Sequence, residues 1–173
     1  MARIPPAPID GPDADEVSVA RIQGLRNGTI SPLYRTLLHN GDIAAGWCAL
    51  GTAVRWRSSL DNQLRELLTC LVASLTDAAY EWENHEQLAR SAAVTAEQLA
   101  SLPAWRDCIT FTDRERAALA YAEAVVEARV DDELHEATAT HFTRRELVEI
   151  AATSAYYVAT AKFLQASGVG GRS

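Results

Sequence analysis

The chain has 173 residues, the size of one ordinary domain, and 48% of them are hydrophobic, enough for a sizeable core. Charged residues make up 23% and the formal net charge is -7, so the basic stripe of a nucleic-acid binder is missing and nucleic acid is excluded as a partner. No apolar run approaches the ~20 residues that cross a bilayer, and residues 1–8 lack the apolar stretch of a secretory signal, so no membrane contact and a cytoplasmic location are expected.

Residues 1–13 carry Pro5, Pro6, Pro8 and Pro12 and cannot form a helix. They are expected to form an extended arm that drapes over its own domain or reaches a neighbouring subunit. Residues 14–168 read as one all-α domain, and residues 169–173 as a flexible tail. Helix starts are marked by Ser31-Pro32, by Asp61 or Ser59, and by three capping boxes: Thr95 with Gln98, Thr112 with Glu115, and Thr143 with Glu146. Strand-like alternation is absent.

The apolar spacing agrees. Leu64, Leu67, Leu68, Leu71, Val72 and Leu75 form one helical stripe. Ala78, Trp82, His85, Ala89 and Ala92 form a second, and Ala117, Ala120, Tyr121, Ala124 and Ala128 a third. Leu147, Ile150, Ala151, Ser154, Val158 and Ala161 form the fourth. Leu64 to Leu68 and Arg145 to Val148 are alike in kind, each opening a long apolar helix, as a weak internal repeat would. The cysteines, Cys48, Cys70 and Cys108, are odd in number and widely spaced, which fits neither a disulfide framework nor a zinc site. They read as small core residues.

The informative stretch runs from residue 60 to 93. Arg65-Glu66-Leu67 opens an apolar helix, and a second helix follows with Tyr80-Glu81-Trp82-Glu83-Asn84-His85. With Arg145-Glu146-Leu147-Val148, Tyr156-Tyr157 and Lys162-Phe163-Leu164, this resembles the carboxymuconolactone decarboxylase / AhpD-like family over residues 30–168. The resemblance implies a bundle of six to eight helices and a homo-oligomer, a trimer or hexamer. In the family's redox branch a glutamate precedes a Cys-x-x-Cys pair, and a histidine lies four residues beyond the second cysteine. Glu66 and His85 match that glutamate and histidine. Ala78 and Glu81 stand at the cysteine positions, so the attacking and resolving thiols of a peroxidase are both missing.

Glu66, Glu81 and His85 remain as candidate catalytic residues. Glu81 and His85, at i and i+4, share the helix face that carries Ala78 and Trp82, so they point inward. A histidine between two carboxylates in an apolar setting suits acid–base work. The decarboxylating members of the family act on a small lactone carboxylate, which needs a proton donor and groups that stabilise a developing enolate. His85 is the candidate donor, with Glu66 orienting it or relaying the proton. Arg65 is a candidate carboxylate anchor, and Tyr80, Trp82 and Tyr156 are candidate substrate contacts, although aromatic residues at such positions more often pack. The same groups also suit a purely structural role, with His85 a core histidine satisfied by Glu66.

No cofactor is expected. A metal is not expected either, because carboxylate-bridged bundles repeat a Glu-x-x-His motif and this chain has Glu-x-x-x-His once. His39, His135 and His141 lie far from it in sequence. Glycine-rich phosphate loops and a nucleophile elbow are absent. The leading expectation is a cofactor-independent lyase or isomerase acting on a small carboxylate or lactone. The alternatives are a thiol-dependent peroxidase of unusual design built on Cys70, and a non-catalytic oligomeric binding or scaffold protein.

Overall fold

The structure, a computed structural model, describes residues 2–170. The described residues are all helical or irregular, and they fall into two compact units. One comprises residues 2–57 with 163–170, the other Ser58–Lys162. No linker separates them, because the second boundary falls inside a helix. Residues 171–173 of the expected tail lie outside the described residues.

The first unit contains α1 (Glu16–Leu25), α2 (Pro32–Leu37) and α3 (Gly41–Trp56). Asp15 and Asn40 cap α1 and α3 by accepting from Ser18 N–H and Ile43 N–H. Ser31 occupies the cap of α2 with Pro32 behind it, but its hydroxyl makes no capping bond. Gly41 lies so close to Asp15 and Ser18 that a Cβ there would collide with both side chains. The proline-rich arm drapes over this unit. Arg3 and Ile4 N–H donate to the Ser167 carbonyl, Ala7 N–H to the Arg35 carbonyl, and His39 Nε2 bonds the Pro5 carbonyl at 2.8 Å.

The second unit contains α4 (Asn62–Leu75), α5 (Ala79–Ser91), α6 (Ala96–Ser101), a 3-10 segment (Leu102–Asp107), α7 (Asp113–Val126) and α8 (Asp132–Ala139). It also holds most of α9 (Arg144–Ser167). The described residues thus form nine α-helices, more than the six to eight expected. Short pieces such as α2 and α6, six residues each and marked in the sequence by their starts at Ser31-Pro32 and Thr95 rather than by an apolar period, add to the count.

All three capping boxes form: Thr95 with Gln98, Thr112 with Glu115, and Thr143 with Glu146. Asp61 rather than Ser59 caps α4, accepting from Leu64 N–H at 2.8 Å. Ser59 instead joins Ser58 in binding Glu149 of α9.

Helix α4 is the centre of this unit. Every residue from Leu64 to Ala73 is buried, as expected of a helix packed on all sides. Its neighbours are α5, α7 and the 3-10 segment, and the core joins Leu67, Leu68 and Leu71 to Leu99, Leu102, Leu119 and Ile150. Helix α7 meets its expected stripe in part. Tyr121 and Ala124 are buried, together with Ala118, Leu119 and Ala122, while Ala117 and Ala120 are half-buried and Ala128 is exposed, because an alanine-rich helix gives a weak apolar signal. No helix of the described residues is long and apolar enough to cross a membrane.

Three helices stop in the same way without glycine. After α4, α5 and α7 the chain enters the left-handed region at Asp77 (φ 50°), Ala93 (φ 70°) and Ala128 (φ 55°). The next N–H returns to a carbonyl five residues back: Ala78 to Ala73, Val94 to Ala89, and Arg129 to Ala124, each at 2.9 Å. A left-handed residue with a Cβ costs about 1 kcal/mol or more. Ala93→Gly and Ala128→Gly are each expected to raise unfolding free energy by about 1 kcal/mol in urea titration.

Glu149 supplies a second test. Burial pushes its carboxyl up, but hydrogen bonds from Ser59, Arg145, the Ser59 backbone and Ser58 outweigh that and hold it down at about 2, against an ordinary 4.5. A depressed folded-state pKa stabilises fully above the unfolded value and is lost as pH falls through the folded one. The stability difference between wild type and Glu149→Gln is therefore expected to be constant above pH ~5 and to shrink steadily as pH falls toward 2.

Candidate active site

The site lies within the second unit, where α4, α5 and α9 meet. Helices α4 and α5 form an antiparallel hairpin through the turn at Thr76 and Asp77. Ala73 and Ala78 cluster with Ala161 of α9 at the closed end, where small side chains permit close approach. This brings Glu66 on α4 against His85 on α5.

His85 Nδ1 lies 2.7 Å from Glu66 Oε2, with the residues 3% and 4% exposed. Arg65 Nη2 lies 3.4 Å from the other oxygen, Glu66 Oε1. Both oxygens of Glu66 thus face a nitrogen, and if Glu66 is an ionised carboxylate, which can only accept, the proton of its bond to the ring belongs to His85 Nδ1. The other ring nitrogen, Nε2, faces the Tyr157 hydroxyl at 3.3 Å and Glu81 Oε2 at 3.6 Å. The rings of His85 and Tyr157 meet edge to face, with centroids 5.1 Å apart. The arrangement fixes the ring orientation and aims Nε2 at a phenol and a second carboxylate. That is the layout of a group that gives or takes a proton at Nε2.

Of the residues singled out from sequence, Arg65, Glu66, Glu81 and His85 come together, all buried. Trp82 is half-buried and packs against two apolar clusters, so it is a packing residue. Tyr80 is half-buried, and at 100° per residue it projects well away from the Glu81 direction. Tyr156 stacks edge-on against Tyr157, at 5.2 Å between centroids. Tyr157, not among the expected substrate contacts, is the tyrosine on His85. The Tyr156-Tyr157 pair was visible in sequence, but which of them faces α5 depends on the rotation of α9. His135 belongs elsewhere, its Nδ1 bonded to the Tyr121 hydroxyl at 3.1 Å.

Cys70, one turn beyond Glu66 on α4, is buried in the same region. Burial pushes its thiol up to about 12, with the charges of Glu66 and Glu86 adding to the effect. It is therefore a protonated thiol at any physiological pH and a poor nucleophile. Cys108 is the opposite case. It is half-buried, and hydrogen bonds from Ser101 and Thr110 lower its pKa. Iodoacetamide at pH 8 is expected to alkylate Cys108 in the native protein, with Cys48 and Cys70 labelled only after denaturation, as read by peptide mass mapping.

Comparison with known proteins gives the family and the fold. The carboxymuconolactone decarboxylase family matches residues 41–124. The uncharacterized protein YnjA of Escherichia coli is 30% identical over 122 residues, covering 69% of this chain and 67% of that protein. The chain spans about two thirds of the length of the curated relatives it matches. Two solved structures share the fold at 20% identity and a TM-score of 0.77. The debrominase Bmp8, solved with 2,3,4-tribromopyrrole, aligns over 95% of this chain and 89% of its own. A peroxidase-related protein with an alkylhydroperoxidase AhpD core, from Ralstonia eutropha, aligns over 95% and 90%. The chain belongs to the carboxymuconolactone decarboxylase family, with the AhpD-like helical fold and without a Cys-x-x-Cys pair.

Proposed function

We propose that this protein is a cofactor-independent acid–base enzyme, a lyase or isomerase acting on a small carboxylate or lactone. The observation that carries the reading is the buried Glu66–His85 pair at 2.7 Å, with Nε2 turned toward Tyr157 and Glu81. In a decarboxylation, the bond to the departing carboxylate breaks and its electrons pass to the neighbouring carbonyl as an enolate. The enolate collapses onto carbon and takes the proton of His85 Nε2, which solvent later restores. In an isomerisation, neutral Nε2 first removes a proton from carbon and then returns it at a second position. In both, the imidazolium stands between two carboxylates, which stabilise its charge.

The thiol-dependent reading finds less support. Ala78 and Glu81 replace the redox pair, and the Cys70 thiol is held up at about 12. A cysteine-free variant is expected to retain the activity of the wild type. Homo-oligomerisation remains part of the proposal, since it comes from family resemblance alone.

The test is turnover of a panel of small β-keto acids and unsaturated lactones in D2O, followed by NMR. Wild type is expected to place one deuterium on the product carbon. Glu66→Gln and His85→Ala are expected to slow this by about 10²–10⁴-fold with helical circular dichroism unchanged. Full activity in both variants would refute the assignment. Absence of turnover across the panel would favour a binding or scaffold protein.

A further inference from the structure

Helix α3 (Gly41–Trp56) buries one side, through Ala44, Ala45, Cys48, Gly51, Thr52 and Val54. A surface helix normally turns charged and polar residues outward on its other side, and α5 does so with Glu83, Asn84, Gln87 and Arg90. On α3 the exposed residues between Asp42 and Arg57 are Ile43, Gly46, Ala49, Leu50, Ala53 and Trp56, with no polar side chain among them except the indole. Ile43, Leu50 and Trp56 are 52%, 49% and 54% exposed, Trp56 even with the Arg26 and Arg55 guanidinium groups against its ring. At one turn per 3.6 residues these positions fall within a single arc of about 140°. Exposed Asp42 stands at one end of the arc and exposed Arg57, the C-cap, at the other.

Gly46 adds a second observation. A glycine inside a helix is unfavourable relative to alanine. A Cβ added to Gly46 would meet nothing within 4 Å, so no contact within the chain calls for glycine there, whereas Gly41 is held against Asp15 and Ser18. A glycine on an apolar face lets a second backbone come close.

The face also reads alike from both ends. Outward from Ala49 and Leu50 it runs small residue, large apolar residue, charge: Gly46, Ile43 and Asp42 one way, Ala53, Trp56 and Arg57 the other. The spacings are equal and the terminal charges are opposite. Such a surface is complementary to itself turned end for end. In an antiparallel pair about a two-fold axis at Ala49 and Leu50, Gly46 of each copy meets Ala53 of the other, and Asp42 comes to the Arg57 end.

We infer that this face of α3 binds the same face of a second copy of this chain, as an antiparallel two-fold helix pair. Opposite charges at equal distances from the centre select a second copy over an unrelated protein or a lipid surface. The inference does not depend on the acid–base reading. Of the oligomers that the family resemblance implies, a hexamer built as a trimer of dimers contains such a contact and a bare trimer does not.

The experiment measures the mass of the full chain by light scattering after size exclusion, at several concentrations, with helical circular dichroism as the check on folding. Wild type is expected to form an even-numbered assembly. Gly46→Leu and Leu50→Glu are each expected to halve its mass and keep helicity, since both positions are exposed. Asp42→Arg is expected to weaken association about tenfold by bringing like charges together at both ends, and Asp42→Arg combined with Arg57→Asp to restore it. In a Cys108→Ser background, Ala49→Cys is expected to give a disulfide-linked dimer under mild oxidation, because the two copies of that position face each other across the axis. Asp42→Cys is expected to give none, since an antiparallel pair holds its two copies roughly 20 Å apart. A monomeric or odd-numbered wild type, unchanged mass in Gly46→Leu, a double charge variant no better than Asp42→Arg, or a disulfide as ready in Asp42→Cys as in Ala49→Cys would each overturn the inference. So would a monomer that floats with phospholipid vesicles, which would give the face to a membrane.

Discussion

Glu66 sits in the second turn of α4, a helix whose neighbours from Leu64 to Ala73 are all buried. A carboxylate in such a place costs several kcal/mol unless charged or hydrogen-bonding partners meet it. His85 and Arg65 supply them, and the requirement reaches well beyond one contact. It fixes the rotation of α5, since only one face of that helix can present Nδ1 to α4. It fixes the packing at the hairpin's closed end, where Ala73, Ala78 and Ala161 are small enough to let the helices approach. It also sets which face of α9 turns inward, because Nε2 of the same ring meets Tyr157.

The carboxylates also decide which chemistry the site excludes. Cys70 stands one turn from Glu66, and burial together with that negative charge keeps its thiol protonated. Ala78, at the first position of the family's redox pair, is 6% exposed and packed among alanines, so it serves helix approach. Glu81, at the second, places an oxygen 3.6 Å from His85 Nε2. The arrangement thus trades a nucleophilic sulfur for a second group able to stabilise an imidazolium. An enzyme that shuttles protons gains from this exchange, and one that reduces peroxides loses by it.

How much of this was legible in the sequence follows from how local each signal is. The boxes at Thr95, Thr112 and Thr143 and the cap at Asp61 involve partners three residues apart, so they could be read directly. Glu81 and His85 share a face by spacing alone, and Glu66 was assigned through family resemblance. Tyr157 was out of reach. Its place against His85 depends on how α9 packs on α4 and α5, through Ser59 with Glu149 and the cluster of Ala73, Ala78 and Ala161, residues far apart in the chain. The left-handed stops at Ala93 and Ala128 were equally hidden, because the glycine that normally marks them is absent.

The central claim is that Glu66 is an ionised buried carboxylate accepting from His85 Nδ1–H. Its most direct test is the protonation pattern of the His85 ring, read from two-bond 1H–15N correlations in protein labelled with 15N-histidine at neutral pH. The account predicts a proton on Nδ1 of wild type, with that signal altered in Glu66→Gln while the other three histidines keep theirs. An Nδ1 that carries no proton in wild type would mean that Glu66 does not hold the ring as described, and the site would have to be understood in other terms.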